Sequence, residues 1–89
     1  MKAIITVIGV DRTGIIAGVS AVLYENDVNI EDISQTIMQG YFMMSMLVDI
    51  SKAKTSFETL SKILDAKGKE IGTEIRIQKE ELFKAMHSI

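Results

Sequence analysis

The stretch Gly9-Val10-Asp11-Arg12-Thr13-Gly14-Ile15-Ile16 sets one acidic residue between two glycines, where an apolar run gives way to helical spacing. Its glycines resemble a dinucleotide fingerprint. However, Asp11 replaces the central glycine that lets a pyrophosphate approach, and the alternating parallel-sheet pattern that should follow is missing. A nucleotide is therefore excluded. What remains is a helix N-terminus, where the backbone amides over Thr13 to Ile16 are unpaired, the dipole favours an anion and Gly14 gives close access. A carboxylate suits it. Asp11 can take the ammonium of the same molecule by a charge-assisted hydrogen bond, so the turn offers a group for each end of a zwitterion. The same residues also fit a purely structural role, with Asp11 as the helix cap and Gly14 as a packing glycine. Arg12 can reach a ligand carboxylate or a partner's acidic edge, although a lone loop arginine is commonly solvated.

Other polar residues give weaker signals. Asn29, Glu31 and Asp32 follow a helix, where polar turn residues are usually only solvated. Glu31 and Asp32 make a poor cation site, because hard cations want several converging oxygens and adjacent strand residues point to opposite faces. No metal and no cofactor are expected. His87 is the only histidine and has no neighbouring base or nucleophile in sequence, so it reads as a residue near a helix C-terminus. Met38, Met43, Met44, Met46 and Met86 read as core filler at their spacing. With one His, no Cys and no converging carboxylates, no catalytic residue is assigned.

Composition narrows the classes further. The chain has 89 residues, 47% of them hydrophobic, which fits one small domain. Ten Lys plus Arg against twelve Asp plus Glu give a charge of -2. Lys52 and Lys54, and the group Lys62, Lys67 and Lys69, alternate with acids and have no aromatic interleaving, so nucleic acid is not a predicted partner. Zero Cys excludes a disulfide framework, a thiolate zinc site and a cysteine nucleophile, and permits a reducing compartment. The run from Met1 to Val10 is too short for a signal sequence, and no window approaches the roughly 18 apolar residues of a membrane span. A soluble, cytoplasmic protein with no membrane partner is expected. A domain of this length buries only about 60 to 65% of its unfolded surface, so subunit association is the expected source of extra burial.

The elements that must position the turn follow from periodicity. Lys2 to Val10 reads as a central strand, with Ala3, Ile5 and Val7 on one face and Ile4, Ile8 and Val10 on the other. Gly14 to Asn26 reads as a helix with Ile15, Ile16, Val19, Val22 and Leu23 on its stripe, ended by Asn26 and Asp27. Val28 to Met38 reads as an edge strand whose apolar phase shifts near Glu31 and Asp32, the mark of a bulge. Gln39 and Gly40 turn the chain into a strand over Tyr41 to Ile50, with Phe42, Met44, Met46, Val48 and Ile50 facing the core. Thr55 and Glu58 have capping-box spacing for a helix through Phe57, Leu60, Ile63 and Leu64, ending at Gly68 or Gly72. Thr73 to Gln78 alternates as a last strand, with Thr73, Ile75 and Ile77 inward. Lys79 to Ile89 returns to helical spacing through Leu82, Phe83, Met86 and Ile89.

This order predicts one domain over residues 1–89, with a core over 1–78 and a C-terminal helix over 79–89. Two interlocked βαβ units give an α+β, ferredoxin-like βαββαβ sandwich, an antiparallel four-stranded sheet with two helices on one face. The other face is expected to carry an apolar patch of Ile5, Val7, Tyr41, Met43 and Leu47, covered by a partner or by the terminal helix.

The chain also resembles a known family, the ACT domains. The likeness rests on Val7-Ile8-Gly9-Val10-Asp11-Arg12-Thr13-Gly14-Ile15-Ile16-Ala17, on Val28-Asn29-Ile30-Glu31-Asp32-Ile33 and on Tyr41-Phe42-Met43-Met44, and spans nearly the whole chain. More narrowly it is similar to single-ACT proteins related to the glycine cleavage system transcriptional repressor, in which a short helix such as Glu80 to Ile89 follows the last strand. The resemblance implies a small βαββαβ regulatory module that binds an amino acid between two subunits. The site it implies joins the turn of one subunit, through Asp11 and Gly14 with neighbouring Arg12, Thr13 and Ile15, to Asn29 of the other. Asp11 and Gly9 stand where serine-binding members have Asn and His, so serine is not the implied ligand. Thr13 stands where many relatives have Pro, a change that a first helical turn accepts. Dimers joined edge to edge or stacked face to face are both implied, and the apolar outer face favours a stacked or helix-covered arrangement. The expected function is a non-enzymatic homodimeric sensor of an amino acid. The alternative is a ligand-free interaction module that regulates a partner protein.

Overall fold

The computed structural model describes residues 1–82. In chain order they form β1 (Lys2–Val10), α1 (Ile15–Glu25), β2 (Asn29–Met38), β3 (Tyr41–Asp49), α2 (Phe57–Ile71) and β4 (Thr73–Lys79). The strands lie side by side as β2-β3-β1-β4, and every neighbouring pair is antiparallel. This is the expected ferredoxin-like α+β sandwich. β1 is central, and β2 and β4 are the two edges.

Alternation along β1 and β3 decides what the helices cover. Ala3, Ile5 and Val7 are fully buried, and opposite them stand Met46, Met44 and Val48, also buried. Full burial of an Ile, Val or Met side chain such as these contributes about 1.5–3 kcal/mol, and the Ala3 methyl less. Ile5 and Val7 therefore do not belong to the outer patch expected from the sequence. That face carries the residues of opposite parity, among them Ile8, 50% exposed, and Val10, 61% exposed, from β1. Tyr41, Met43 and Leu47 do face that way on β3. Of the strand methionines, Met44 and Met46 are core, whereas Met38 is exposed.

α1 buries Ile15, Val19, Val22 and Leu23. Ile16 falls off this stripe and stays exposed, because successive helical residues turn by about 100°. Asn26 and Asp27 end the helix as expected: the Asn26 side-chain Nδ2 donates to the Val22 carbonyl at 2.8 Å, and Asp27 takes a left-handed φ of 56°. The bulge lies between Ile30 and Asp32. Gln39 and Gly40, with φ of 52° and 82°, make the two-residue hairpin turn.

α2 begins one residue later than Thr55 and Glu58 suggested. Ser56 is the N-cap, its hydroxyl accepting from the Thr59 amide at 3.1 Å, and Glu58 lies in the first turn near the positive dipole end. The helix continues past Gly68 to Gly72. Gly68 serves a different purpose, close packing: a Cβ there would sit 2.7 Å from the Thr73 carbonyl oxygen, so only glycine lets α2 lie this close to β4.

β4 extends to Lys79, which pairs with Ala3, so the C-terminal helix starts at Glu80 rather than Lys79. Residues 80–82 are helical. The remainder of the expected helix, with Phe83, Met86, His87 and Ile89, lies outside the described residues. Among the described residues no helix is long and apolar enough to cross a membrane.

Candidate functional site

β1 delivers the chain to one pole of the sheet. There the Asp11 amide donates to the Gly40 carbonyl at 2.8 Å, which ties the β1–α1 turn to the β2–β3 hairpin. Asp11, Arg12, Thr13 and Gly14 are all exposed. Gly14 is the N-cap of α1, with φ 93° and ψ -1°, and no side chain caps the helix. Asp11 is thus not the cap that one reading of the sequence made it. A Cβ at Gly14 would meet nothing within 4 Å, so glycine is required there by the left-handed backbone and not by crowding.

The first intrahelical bond runs from the Gly18 amide to the Gly14 carbonyl at 2.9 Å. The amides of Ile15, Ile16 and Ala17 precede it and have no intrahelical partner. The first turn holds no acidic residue, so the positive dipole end is not neutralised from within the helix. Ile15 can offer only its backbone, because its side chain is buried in the core. An exposed helix N-terminus preceded in the same turn by an exposed aspartate has the group types for a small molecule carrying both a negative and a positive charge.

Arg12 follows a different course from a solvated loop residue. Its Nη1 donates to the Ile71 carbonyl at 3.3 Å, placing the guanidinium at the C-terminal end of α2. Nothing local in the sequence signals this contact, which spans 59 positions.

Asn29 opens β2 at the opposite pole, paired with Asp49, which stands at the far end of β3 from Tyr41. Because β1 pairs Lys2 with Asp49 and Val10 with Tyr41, the two poles are separated by the length of a nine-residue strand, roughly 27 Å. Within one chain the structure does not bring Asn29 to Asp11 and Gly14. Asn29 instead lines a surface depression with Tyr24, Asp27, Val28 and Lys52.

The Asn29 pole is rich in paired charge. Lys2 contacts Glu31 at 2.7 Å, and its hydrogen bond to that carboxylate holds the ammonium above its usual range. Asp49 accepts from both the hydroxyl and the amide of Ser51, and these bonds hold its carboxyl below the usual range. The Met1 ammonium donates to the Ser51 hydroxyl at 2.8 Å. Asp32 accepts from the Ile33 amide at 2.9 Å. Among the described residues no three His, Cys, Asp or Glu side chains gather as metal ligands.

Comparison with known proteins agrees with this architecture. A family model described as an ACT domain matches residues 2–78. A UPF0237 protein of Methanocaldococcus jannaschii is 56% identical over 99% of this chain and 98% of its own length. The solved structure of an ACT domain protein from Streptococcus pneumoniae superposes with a TM-score of 0.83 at 44% identity, covering 94% of each chain. A structure described as a glycine cleavage system transcriptional repressor gives 0.72 at 22% identity, over 88% of this chain and 44% of that one, a likeness of fold.

Proposed function

Because the chain belongs to the ACT domain family, whose members are generally regulatory small-molecule-binding modules, we propose that it is a non-enzymatic cytoplasmic sensor of an amino acid or similar zwitterion held between two copies. The observation that carries this reading is the exposed N-terminus of α1 at Gly14, which no side chain caps, with the exposed Asp11 three residues earlier in the chain. The ligand carboxylate takes the amides of Gly14 and Ile15 and their neighbours, and Asp11 takes the ammonium. Thr13 borders the same turn, and Arg12 fixes its position against α2. Asn29 comes from the second copy, since the Asn29 of the same chain lies at the far pole. The sheet and helices of residues 1–79, through the end of β4, carry the site. A ligand held across an interface stabilises the dimer by mass action, which is a sufficient switch without chemistry.

A second reading has its own support. Ile8, Val10, Tyr41 and Met38 leave an exposed apolar surface on the sheet face away from the helices, as a ligand-free module that regulates another protein would need. A thermal-shift screen against the twenty amino acids, their keto acids and nucleotides, at two protein concentrations, separates the two. The sensor predicts a ligand-dependent rise that is lost in Asp11→Ala and in Asn29→Ala. A melt that no compound moves overturns the sensor and leaves the interaction module.

A further inference from the structure

We infer that the cleft between the start of α2 and the end of β4 is a second ligand site, one that holds a small zwitterion by an aliphatic body as well as by its two charges. The inner rows of the sheet lead to it. On β3, Phe42, Met44, Met46 and Val48 are buried on the helix side, and the half-buried Ile50 follows at the same parity. On β4, Ile75 and Ile77 are buried on that side, and Lys79, two residues further and paired with Ala3, shares their face. A row that closes the core thus ends in an ammonium. Lys79 Nζ stands 5.3 Å from the centre of the Phe57 ring, at the start of α2, and no carboxylate pairs with it among the described residues.

Between these two elements lies a depression of about 270 Å³. Its lining is apolar at depth: Leu60, 1% exposed, with the half-buried Ile50, Ala53 and Phe57. Main-chain bonds fix the walls. The Ile50 amide donates to the Met1 carbonyl at 2.9 Å, the Ala53 amide to the Ile50 carbonyl at 3.2 Å, and the Leu60 amide to the Ser56 carbonyl at 2.9 Å. Drug-sized ligands occupy pockets of about 300–1,000 Å³, so this one fits a smaller molecule.

The charges on the rim give that molecule its chemistry. Glu58 lines the same depression as Lys79 and is exposed. Its place in the first turn of α2 suits a carboxylate, yet no cation pairs with it among the described residues. Two opposite charges that border one depression without neutralising each other complement a zwitterion by charge-assisted hydrogen bonds. Lys79 takes the carboxylate, Glu58 takes the ammonium, and the apolar lining takes the hydrocarbon body out of water. The need for that body separates this cleft from the turn at Gly14, which offers backbone amides and Asp11. The two places also lie at opposite poles, since Lys79 pairs with Ala3 at the start of β1 and Asp11 follows its end. The inference therefore stands or falls apart from the reading of that turn.

The test titrates the 15N-labelled full chain with L-leucine and with three molecules that each lack one recognised part: glycine without the aliphatic body, isocaproate without the ammonium and isoamylamine without the carboxylate. L-Leucine is expected to give saturable shifts at the amides of Ala53, Phe57 and Leu60, and each of the other three to bind at least about tenfold more weakly. Lys79→Met and Glu58→Gln, with circular dichroism unchanged, are each expected to weaken L-leucine at those amides by a similar factor. Lys69→Met removes the same charge from the other end of α2 and is expected to leave them unmoved. The shifts are expected to persist in Asp11→Ala, which marks them as belonging to this cleft. Absence of L-leucine shifts at Ala53, Phe57 and Leu60 overturns the inference. So does equal binding of glycine or isocaproate there, or a response that survives Lys79→Met and is lost in Asp11→Ala.

Discussion

Arg12 donates from Nη1 to the main-chain oxygen of Ile71 across 3.3 Å, joining the turn before α1 to the last residue of α2. The cation sits at the negative end of that helix dipole, a placement that stabilises by about 0.3–1 kcal/mol at an exposed site. Arg12→Ala is therefore expected to lower the midpoint of chemical denaturation by an amount in that range, and Arg12→Lys by less. Equal losses for the two variants would show that the charge at the α2 terminus is not what matters.

The start of α2 supplies a second expectation. Ser56 caps the helix, while the neighbouring Thr55 hydroxyl is buried with no hydrogen-bond partner among the described residues. Ser56→Ala should cost about 0.5–2 kcal/mol, whereas Thr55→Val removes an unpaired buried hydroxyl and should be neutral or stabilising. Urea titration of both variants checks this, and the reverse order of stabilities would move the cap to Thr55.

Acid sensitivity follows from Asp49. Its folded-state acidity is increased by the Ser51 hydroxyl first and the Ser51 amide second, so its folded pKa lies below the unfolded value. The stability this provides is present above the unfolded value of about 3.9 and is lost as pH falls through the folded one. Denaturation followed from pH 6 down to pH 2 should therefore show a steeper acid loss in the native chain than in Asp49→Asn. Identical slopes would remove Asp49 from the account.

How far the sequence could be read depends on the range of each interaction. Alternation in β3 and the Gln39–Gly40 turn are local signals, and they located the hairpin and its register with the core. Ile15 and Ile16 are equally apolar, so periodicity puts both on the buried stripe, and only the packing of α1 on the sheet chooses Ile15. The capping pair slipped by one residue because Thr55 with Glu58 and Ser56 with Thr59 both have the right spacing. Gly68 looked like a helix end. Its reason for being glycine is the Thr73 carbonyl, a contact from the next strand that helical periodicity does not signal. Of the candidate site, the turn was legible as a helix N-terminus, but the separation of Asn29 from Asp11 and the course of Arg12 depend on topology.

Chemical-shift perturbation in the 15N-labelled chain, titrated with the amino acid that the thermal screen selects, tests the central claim most directly. The account predicts saturable shifts that are largest at the amides of Gly14, Ile15 and Ile16, with a second group at Asn29, and loss of both groups in Asp11→Ala. Shifts confined to the outer sheet face around Ile8 and Tyr41, or shifts at Gly14 to Ile16 unchanged in Asp11→Ala, would contradict it.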